Sequence, residues 1–384
     1  MSVAYTSPWM NEELSIFRDA ARKFLEREFT PHIETWIKAK CVDQKAWRKA
    51  GEAGLLCASI PEEYGGSGGT VAHEAVVLEE LELCGLGTNF GNTIHSGIVA
   101  HYILAYGSEE QRLRWLPKMA SGELIGAIAM TEPGTGSDLQ SIRTHARRDG
   151  DTYILNGQKT FITNGHNAGL IIVVAKTDPS ARAKGISLLV LETEGSAGFK
   201  RGRNLDKIGM HASDTAELFF DDVPIPRENL LGPEEGQGFA QLMNQLPMER
   251  LLIAISAVAA IERAVDITAN YVKDRTAFGK KLIEFQNTAF KLAERKTEAL
   301  IARVFIDYCI VQALAGNLDT VTASMAKYWT TDKQSETADV CLQMFGGYGY
   351  MAEYPISRMY VDSRVQRIYG GSNEVMKILI SRYL

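Results

Sequence analysis

Between roughly residues 126 and 235 the chain changes its rhythm, and that change constrains the fold more than any other feature. Thr152–Asn156, Lys159–Thr163, Leu170–Lys176, Ile186–Glu192 and Ala216–Phe220 are short runs rich in β-branched and aromatic residues. Asp149-Gly150, Asn156-Gly157, Asn164-Gly165 and Asp178-Pro179 separate them as turn signals. Asn156-Gly157 between two such runs predicts a hairpin. No helical crossover lies between the runs, so the block reads as an antiparallel β domain of sandwich or barrel type.

The flanks carry helical periodicity. Glu12 to Phe29 places Leu14, Phe17, Ala21, Phe24 and Leu25 on one stripe, His73 to Leu83 forms another, and Gln111 to Leu116 a short one closed by Pro117. Pro61 to Gly69 predicts a loop. Glu249–Lys273, Lys281–Ala315 and Thr320–Gln343 are long periodic segments with brief connections, which suggests a bundle. The expected architecture is α+β and multidomain. It has an N-terminal α-helical domain over 1–125, a middle antiparallel β domain over 126–235 and a C-terminal four-helix-bundle domain over 236–384.

Composition excludes several classes. Of 384 residues 45% are hydrophobic and 23% charged, with a net charge of −6, which fits a globular chain and argues against nucleic-acid binding. The most apolar stretch, Leu251 to Ile261, is too short to span a bilayer, so no membrane insertion is expected. Five widely spaced cysteines form no C-x-x-C, which favours reduced thiols. Glu12, Glu13 and Asp19 near the N-terminus do not suit a targeting segment. A cytoplasmic location is expected, or the mitochondrial matrix if a presequence has been removed.

Several motifs fail on context. Gly65-Gly66-Ser67-Gly68-Gly69 fits G-x-S-x-G but lacks the strand and helix of a nucleophile elbow. None of the seven histidines has Glu three residues before it, so a bundle di-iron site is unsupported and no metal is expected. Gly279-Lys280 lacks the Ser/Thr of a P-loop, and Gly134-Thr135-Gly136 lacks the third glycine of a dinucleotide fingerprint.

What remains is Ala129 to Asp138, Ala-Met-Thr-Glu-Pro-Gly-Thr-Gly-Ser-Asp. Pro133 and two glycines impose an irregular backbone whose free N–H groups suit an anion such as a pyrophosphate. A plain turn without a ligand is the other reading. The segment resembles the first signature of the acyl-CoA dehydrogenases. Phe161-Ile162-Thr163-Asn164-Gly165 resembles the family's second flavin segment. Arg275 to Lys280, Gln343 to Gly349 and Arg367 to Glu374 resemble three further signatures in the family's order. The helix–strand–helix texture agrees with the family's three-domain fold.

The resemblance implies FAD as cofactor. Met130, Thr131, Phe161, Ile162 and Thr163 would line the isoalloxazine. Ser137 would reach the pyrophosphate and the CoA thioester arm. Arg275, Phe278, Gln286, Gln343, Gly346 and Gly347 would come from a neighbouring subunit of a homotetramer, a dimer of dimers, and Ser372 and Glu374 would close the site. Arg250, Tyr369, Gly370 and Gly371 would contact substrate.

Many family members place the catalytic Glu after the Tyr of the last signature. Here that place is Gly370. The segment Leu246 to Ala254 resembles that of long-chain and isovaleryl-type members, which carry the carboxylate on a C-terminal-domain helix, so Glu249 is the expected base. Its position after Pro247, ahead of an apolar run, suits a partly desolvated carboxylate with a raised pKa. A Glu249–Arg250 surface pair at a helix start is the competing reading, and Asp362 and Glu374 are fallback bases. The chemistry implied is α,β-dehydrogenation of an acyl-CoA to a trans-2-enoyl-CoA, with the Gly370 N–H and a ribityl hydroxyl on the thioester oxygen. Electrons would pass to an electron-transfer flavoprotein. A carrier-protein thioester dehydrogenase, an acyl-CoA oxidase and a non-catalytic flavin binder are the alternatives.

Overall fold

The computed structural model describes residues 5–384. The N-terminal part is helical: α1 (Glu12–Glu28), α2 (Ile33–Ala39), α3 (Gln44–Glu52), α4 (Val71–Cys84), α5 (Asn92–Ile94), α6 (Ala100–Tyr106) and α7 (Glu109–Ala120). The chain's own polar residues start these helices. Asn11 caps α1 by accepting the Leu14 N–H at 2.8 Å, and Thr70 and Ser108 head capping boxes on α4 and α7. Pro117 does not close α7, which runs on to Ala120. Leu116, Met119 and Ala120 are all buried, and that packing outweighs the lost hydrogen bond.

Seven strands follow: β1 (Gly126–Ala129), β2 (His145–Asp149), β3 (Thr152–Thr163), β4 (Leu170–Lys176), β5 (Ile186–Glu192), β6 (Phe199–Asn204) and β7 (Thr215–Pro226). The order is β1-β4-β2-β3-β7-β6, with β5 on β4. The long ladders are antiparallel, and β1 adds to β4 in parallel. The hairpin expected at Asn156-Gly157 is absent. Both runs belong to one strand, β3, and the pair sits at a register shift against β7. Gly157 has φ +142° and a Cβ there would lie 2.6 Å from Thr144 Oγ1, so glycine serves a bulge beneath β2 rather than a turn.

β4 and β5 are apolar on both faces for a reason. Ile171, Val173, Leu189 and Leu191 enter the β core, while Ile172, Val174, Leu188 and Val190 pack on Ile98, Val99, Tyr102 and Trp115 of the helical layer. The β block is thereby fastened to the helix that carries Tyr102.

The C-terminal part holds α8 (Gly238–Asp274), the hairpin β8–β9 (Thr276–Ala277, Lys280–Lys281), α9 (Gln286–Leu314), α10 (Thr320–Phe345), α11 (Pro355–Gln366) and α12 (Asn373–Ser381). Helix α8 is central. Leu251 to Ile261 is buried throughout, because α4, α9 and α10 cover its sides. It begins eleven residues before Glu249 and continues through Pro247. Burial of that apolar run compensates the hydrogen bond that Pro247 cannot make. Trp9, Leu14, Ala72 and Val76 share one core with α8 and α9, so the N- and C-terminal helices form a continuous body. Ion pairs tie it together. Arg303 reaches Glu79 at 2.5 Å and Glu262 at 2.6 Å, and Arg22 meets Glu80 at 2.9 Å.

Candidate functional site

Glu249 lies on the covered face of α8 and is 5% exposed. Burial pushes its carboxyl up to about 7, against the opposing pull of the Tyr102 hydroxyl and the Arg250 guanidinium. The Tyr102 hydroxyl donates to Glu249 Oε1 at 2.8 Å. Nothing in the sequence singled out Tyr102. It is delivered by α6 after one π turn, His95–Val99, a widened turn of a kind frequent at functional sites. Gly97 in that turn lets the segment approach α8, since a Cβ would lie 2.5 Å from Leu252 Cδ1.

The surface-pair reading of Glu249 fails on two counts. The residue is deep inside a helix rather than at its start, and Arg250 is itself buried, with Nη1 3.4 Å from Ser324 Oγ on α10. Arg250 is therefore turned into the bundle, which weakens its candidacy as a substrate contact.

Gly370 explains why no carboxylate stands at that position. Its φ is +64°, and an ideal Cβ would lie 2.4 Å from Ile253 Cδ1. Ile253 is one helical turn beyond Glu249, so the glycine turn and the carboxylate meet the same face of α8. Among the described residues the Gly370 N–H has no acceptor. The neighbouring Tyr369 hydroxyl turns back to Gln366 Oε1 at 2.7 Å. Gly371, at φ +90°, gives its carbonyl to the Lys327 ammonium at 2.8 Å.

The fallback bases are occupied otherwise. Asp362 accepts from the Met210 N–H and, at 3.0 Å, from Asn89 Nδ2, which ties the β block to α11. Glu374 is exposed in the first turn of α12, where its own N–H and the Ser372 side chain hold its carboxyl below the usual range. Ser372 caps that helix by accepting the Val375 N–H at 3.4 Å.

The Lys159 ammonium, fully buried, donates to Met130 O at 2.8 Å and to Glu132 Oε1 at 3.0 Å. The Thr160 N–H donates to Thr131 O at 2.9 Å, so Met130 and Thr131 are strapped across β3. A second register shift between Lys159 and Ile162 turns Phe161 outward at φ +60° and 67% exposed. A left-handed, exposed Phe is a strained arrangement of the kind found at ligand sites. Ile162 goes inward and joins the β core, which leaves only its main chain for a cofactor. Gly134 and Gly136, beside Ser137, are open: a Cβ would meet nothing within 4 Å at the first and only Thr131 Cγ2, at 3.9 Å, at the second. An exposed ring, a main chain strapped at Met130 and Thr131, and an open main-chain nest fit a flavin and its pyrophosphate.

The remaining candidates form a separate cluster at the far end of the bundle. Phe278 and Gly279 make the tip of β8–β9 with φ +52° and +77°, and Phe278 is 96% exposed. The Arg275 guanidinium lies 5.7 Å from the Tyr348 ring, Gln286 opens α9, and Gln343 precedes Gly346 and Gly347, both open. Arg275 follows Glu249 by 26 positions along one helix, about 39 Å at 1.5 Å per residue. Within one protomer Arg275 and Glu249 therefore stand far apart on α8.

Family models match almost the whole chain. The acyl-CoA dehydrogenase N-terminal domain matches residues 11–123, the middle domain 127–223 and the C-terminal domain 236–384. The mitochondrial long-chain specific acyl-CoA dehydrogenase of Sus scrofa is 51% identical over 374 residues, covering 97% of this chain and 86% of the relative. The crystal structure of an acyl-CoA dehydrogenase from Geobacillus kaustophilus superposes with a TM-score of 0.96 at 50% identity, covering 98% of this chain and 99% of that one. A glutaryl-CoA dehydrogenase from Mycobacterium smegmatis in complex with FADH2 does so with 0.91 at 28% identity, covering 97% and 95%.

Proposed function

From the premise that the chain belongs to the acyl-CoA dehydrogenase family, we propose that Glu249 is its catalytic base and Gly370 its main-chain oxyanion donor. The protein is an FAD-dependent acyl-CoA dehydrogenase, an oxidoreductase. One observation carries the assignment of the base: a buried carboxyl at about 7 on the helix face against which Gly370, bare of a side chain, is packed.

When bound, FAD supplies the acceptor for the hydride that leaves C3. Glu249 takes the C2 proton; a carboxyl near 7 is ionised enough to act at neutral pH and basic enough to hold the proton. Tyr102 keeps Oε1 engaged, which leaves Oε2 for the substrate. The free Gly370 N–H stabilises charge growing on the thioester oxygen. Thr131, Phe161 and Thr163 would border the ring of FAD, and Ser137 with the open nest would hold its pyrophosphate and the thioester arm. Among the described residues no helix is long and apolar enough to cross a membrane.

We assign Arg275, Phe278, Gln286, Gln343, Gly346 and Gly347 to the flavin of a neighbouring subunit in a homotetramer. The distance along α8 between Glu249 and Arg275 supports this, as does an exposed apolar stripe on α9 of Phe290, Ile301, Val304 and Tyr308. An electron-transfer flavoprotein is the assigned electron acceptor, and long-chain acyl-CoAs are the first substrates to test, given the name of the 51% identical relative. Glu249→Gln is expected to yield yellow, FAD-loaded protein whose anaerobic bleaching by acyl-CoA is nearly abolished. Unchanged bleaching would move the base elsewhere.

A further inference from the structure

We propose that Lys327 is a positioning residue for this reaction: its buried ammonium fixes the turn that carries Gly370, and so fixes the main-chain donor to the thioester oxygen. The inference rests on the reading of Glu249 and Gly370 above and adds a residue to the same site.

Lys327 is on α10, far from any solvent, at 0% exposure. An isolated ammonium in such a place is very costly, so its partners decide why it is there. It has two, Gly371 O at 2.8 Å and Asn373 Oδ1 at 2.9 Å, and both belong to the turn that follows Tyr369. Asn373 is in turn anchored to α10, its Nδ2 donating to Tyr328 O at 3.2 Å, Thr331 Oγ1 at 3.0 Å and Asp332 Oδ1 at 2.9 Å. The helix thus grips one end of the turn by Asn373 and its middle by Lys327.

The turn needs such a grip. Gly370 and Gly371 are consecutive residues at φ +64° and +90°, a conformation with little intrinsic preference to persist. On one side Gly370 presses on Ile253 of α8. On the other, Lys327 Nζ holds the carbonyl of the next residue; burial first, then the facing Arg250 and Arg367, push its ammonium down to about 7 against the pull of Asp332 and Glu374. The Gly370 N–H sits between these two supports and has no acceptor of its own among the described residues. Its depth relative to Glu249 is set by the α8–turn–α10 stack. Misplacement of such a donor by about 1 Å costs on the order of a hundredfold in rate.

Lys327 does not touch the reacting atoms in this arrangement, and a purely structural role would be to hold α12. The two roles separate in an experiment. The probe is an acyl-CoA analogue with sulfur at position 3. It has a C2 proton to lose and no C3 hydrogen to give. The C2–H bond breaks, Glu249 takes the proton, and the electron pair rests on the thioester oxygen as an enolate. An enolate lying against oxidised flavin absorbs at long wavelength, and the pH midpoint of that absorbance reads the stabilisation of the oxyanion.

FAD-loaded wild-type protein is compared with Lys327→Met and Lys327→Gln. The wild type is expected to develop the band. Lys327→Met is expected to bind the analogue with the midpoint raised by about one unit, a tenfold loss of enolate. Its kcat with substrate falls by at least the same factor while KM changes little. Lys327→Gln keeps a neutral donor and falls between the two; it decides the matter if the Met variant does not load FAD. Variants with the wild-type midpoint and kcat overturn the role of Lys327 alone. A wild type without the band overturns the reading of Glu249 and Gly370, and this inference with it.

Discussion

Replacing Tyr102 by Phe removes one oxygen from the molecule and tests the electrostatics of the base directly. The ring is 0% exposed and keeps its packing, so the change is confined to the hydrogen bond on Glu249 Oε1. That bond favours the ionised carboxylate, and its loss drives the carboxyl further above about 7. A hydrogen bond to a charged group contributes about 1.5–3 kcal/mol, which at 1.36 kcal/mol per unit is a rise of about one to two units. The base works ionised, so activity increases with pH through its pKa. At pH 7 the ionised fraction falls from about a half to about one tenth or one hundredth, and kcat/KM falls about five- to fiftyfold. The loss is recovered above about pH 9, because the ionised carboxylate is then restored. The assay is the pH profile of kcat/KM under anaerobic conditions with FAD-loaded protein. Arg250, the charged group acting on Glu249, is unchanged in both proteins. A midpoint that stays or moves down, with activity low at every pH, refutes the reasoning and leaves Tyr102 a packing residue.

Three further outcomes are expected. Glu249 is raised from 4.5 to about 7, so the native state binds more protons than the unfolded chain in that window and wild-type stability falls as pH rises through it. Glu249→Gln escapes that penalty and is more stable at pH 8 by up to roughly 3 kcal/mol, with no gain at pH 4; an equal difference in Tm at both pH values contradicts this. Gly370→Ala forces a Cβ to 2.4 Å from Ile253 Cδ1 at φ +64° and costs about 1–3 kcal/mol in urea unfolding, of which pairing with Ile253→Ala restores the steric part only. Phe278→Ala removes a fully exposed ring, so protomer stability moves by less than about 0.5 kcal/mol while FAD content after gel filtration drops; unchanged FAD content would remove Phe278 from the flavin site.

Residue type and turn signals separated the strand block, and helical periodicity the segments on either side, because β-branched and aromatic side chains suit a pleated surface while side chains on a helix repeat every 3.6 residues. The glycine-, proline- and hydroxyl-rich segments at 129–138 and 367–374 were legible for a similar reason: their backbone chemistry is local. Local signals failed where burial outvoted them. Pro117 and Pro247 lie inside helices because the packed residues around them contribute more than a missing N–H removes. Asn156-Gly157 has the composition of a hairpin turn, but the close approach of Thr144 makes it a bulge.

What the amino-acid order determined by itself was the succession of helical, strand and helical blocks, the segments that resemble flavin signatures within them, and, through the resemblance of Leu246 to Ala254, Glu249 as the expected base ahead of Asp362 and Glu374. Only the tertiary structure decided what surrounds that carboxylate. Tyr102 is 147 positions from Glu249, and Lys327 is 44 from the carbonyl it holds. The alignment of a hydroxyl, an ammonium and a glycine turn around one helix face comes from how α6, α8 and α10 pack. No local pattern records such contacts, because the desolvation that gives each group its chemistry exists only once the chain has closed around it.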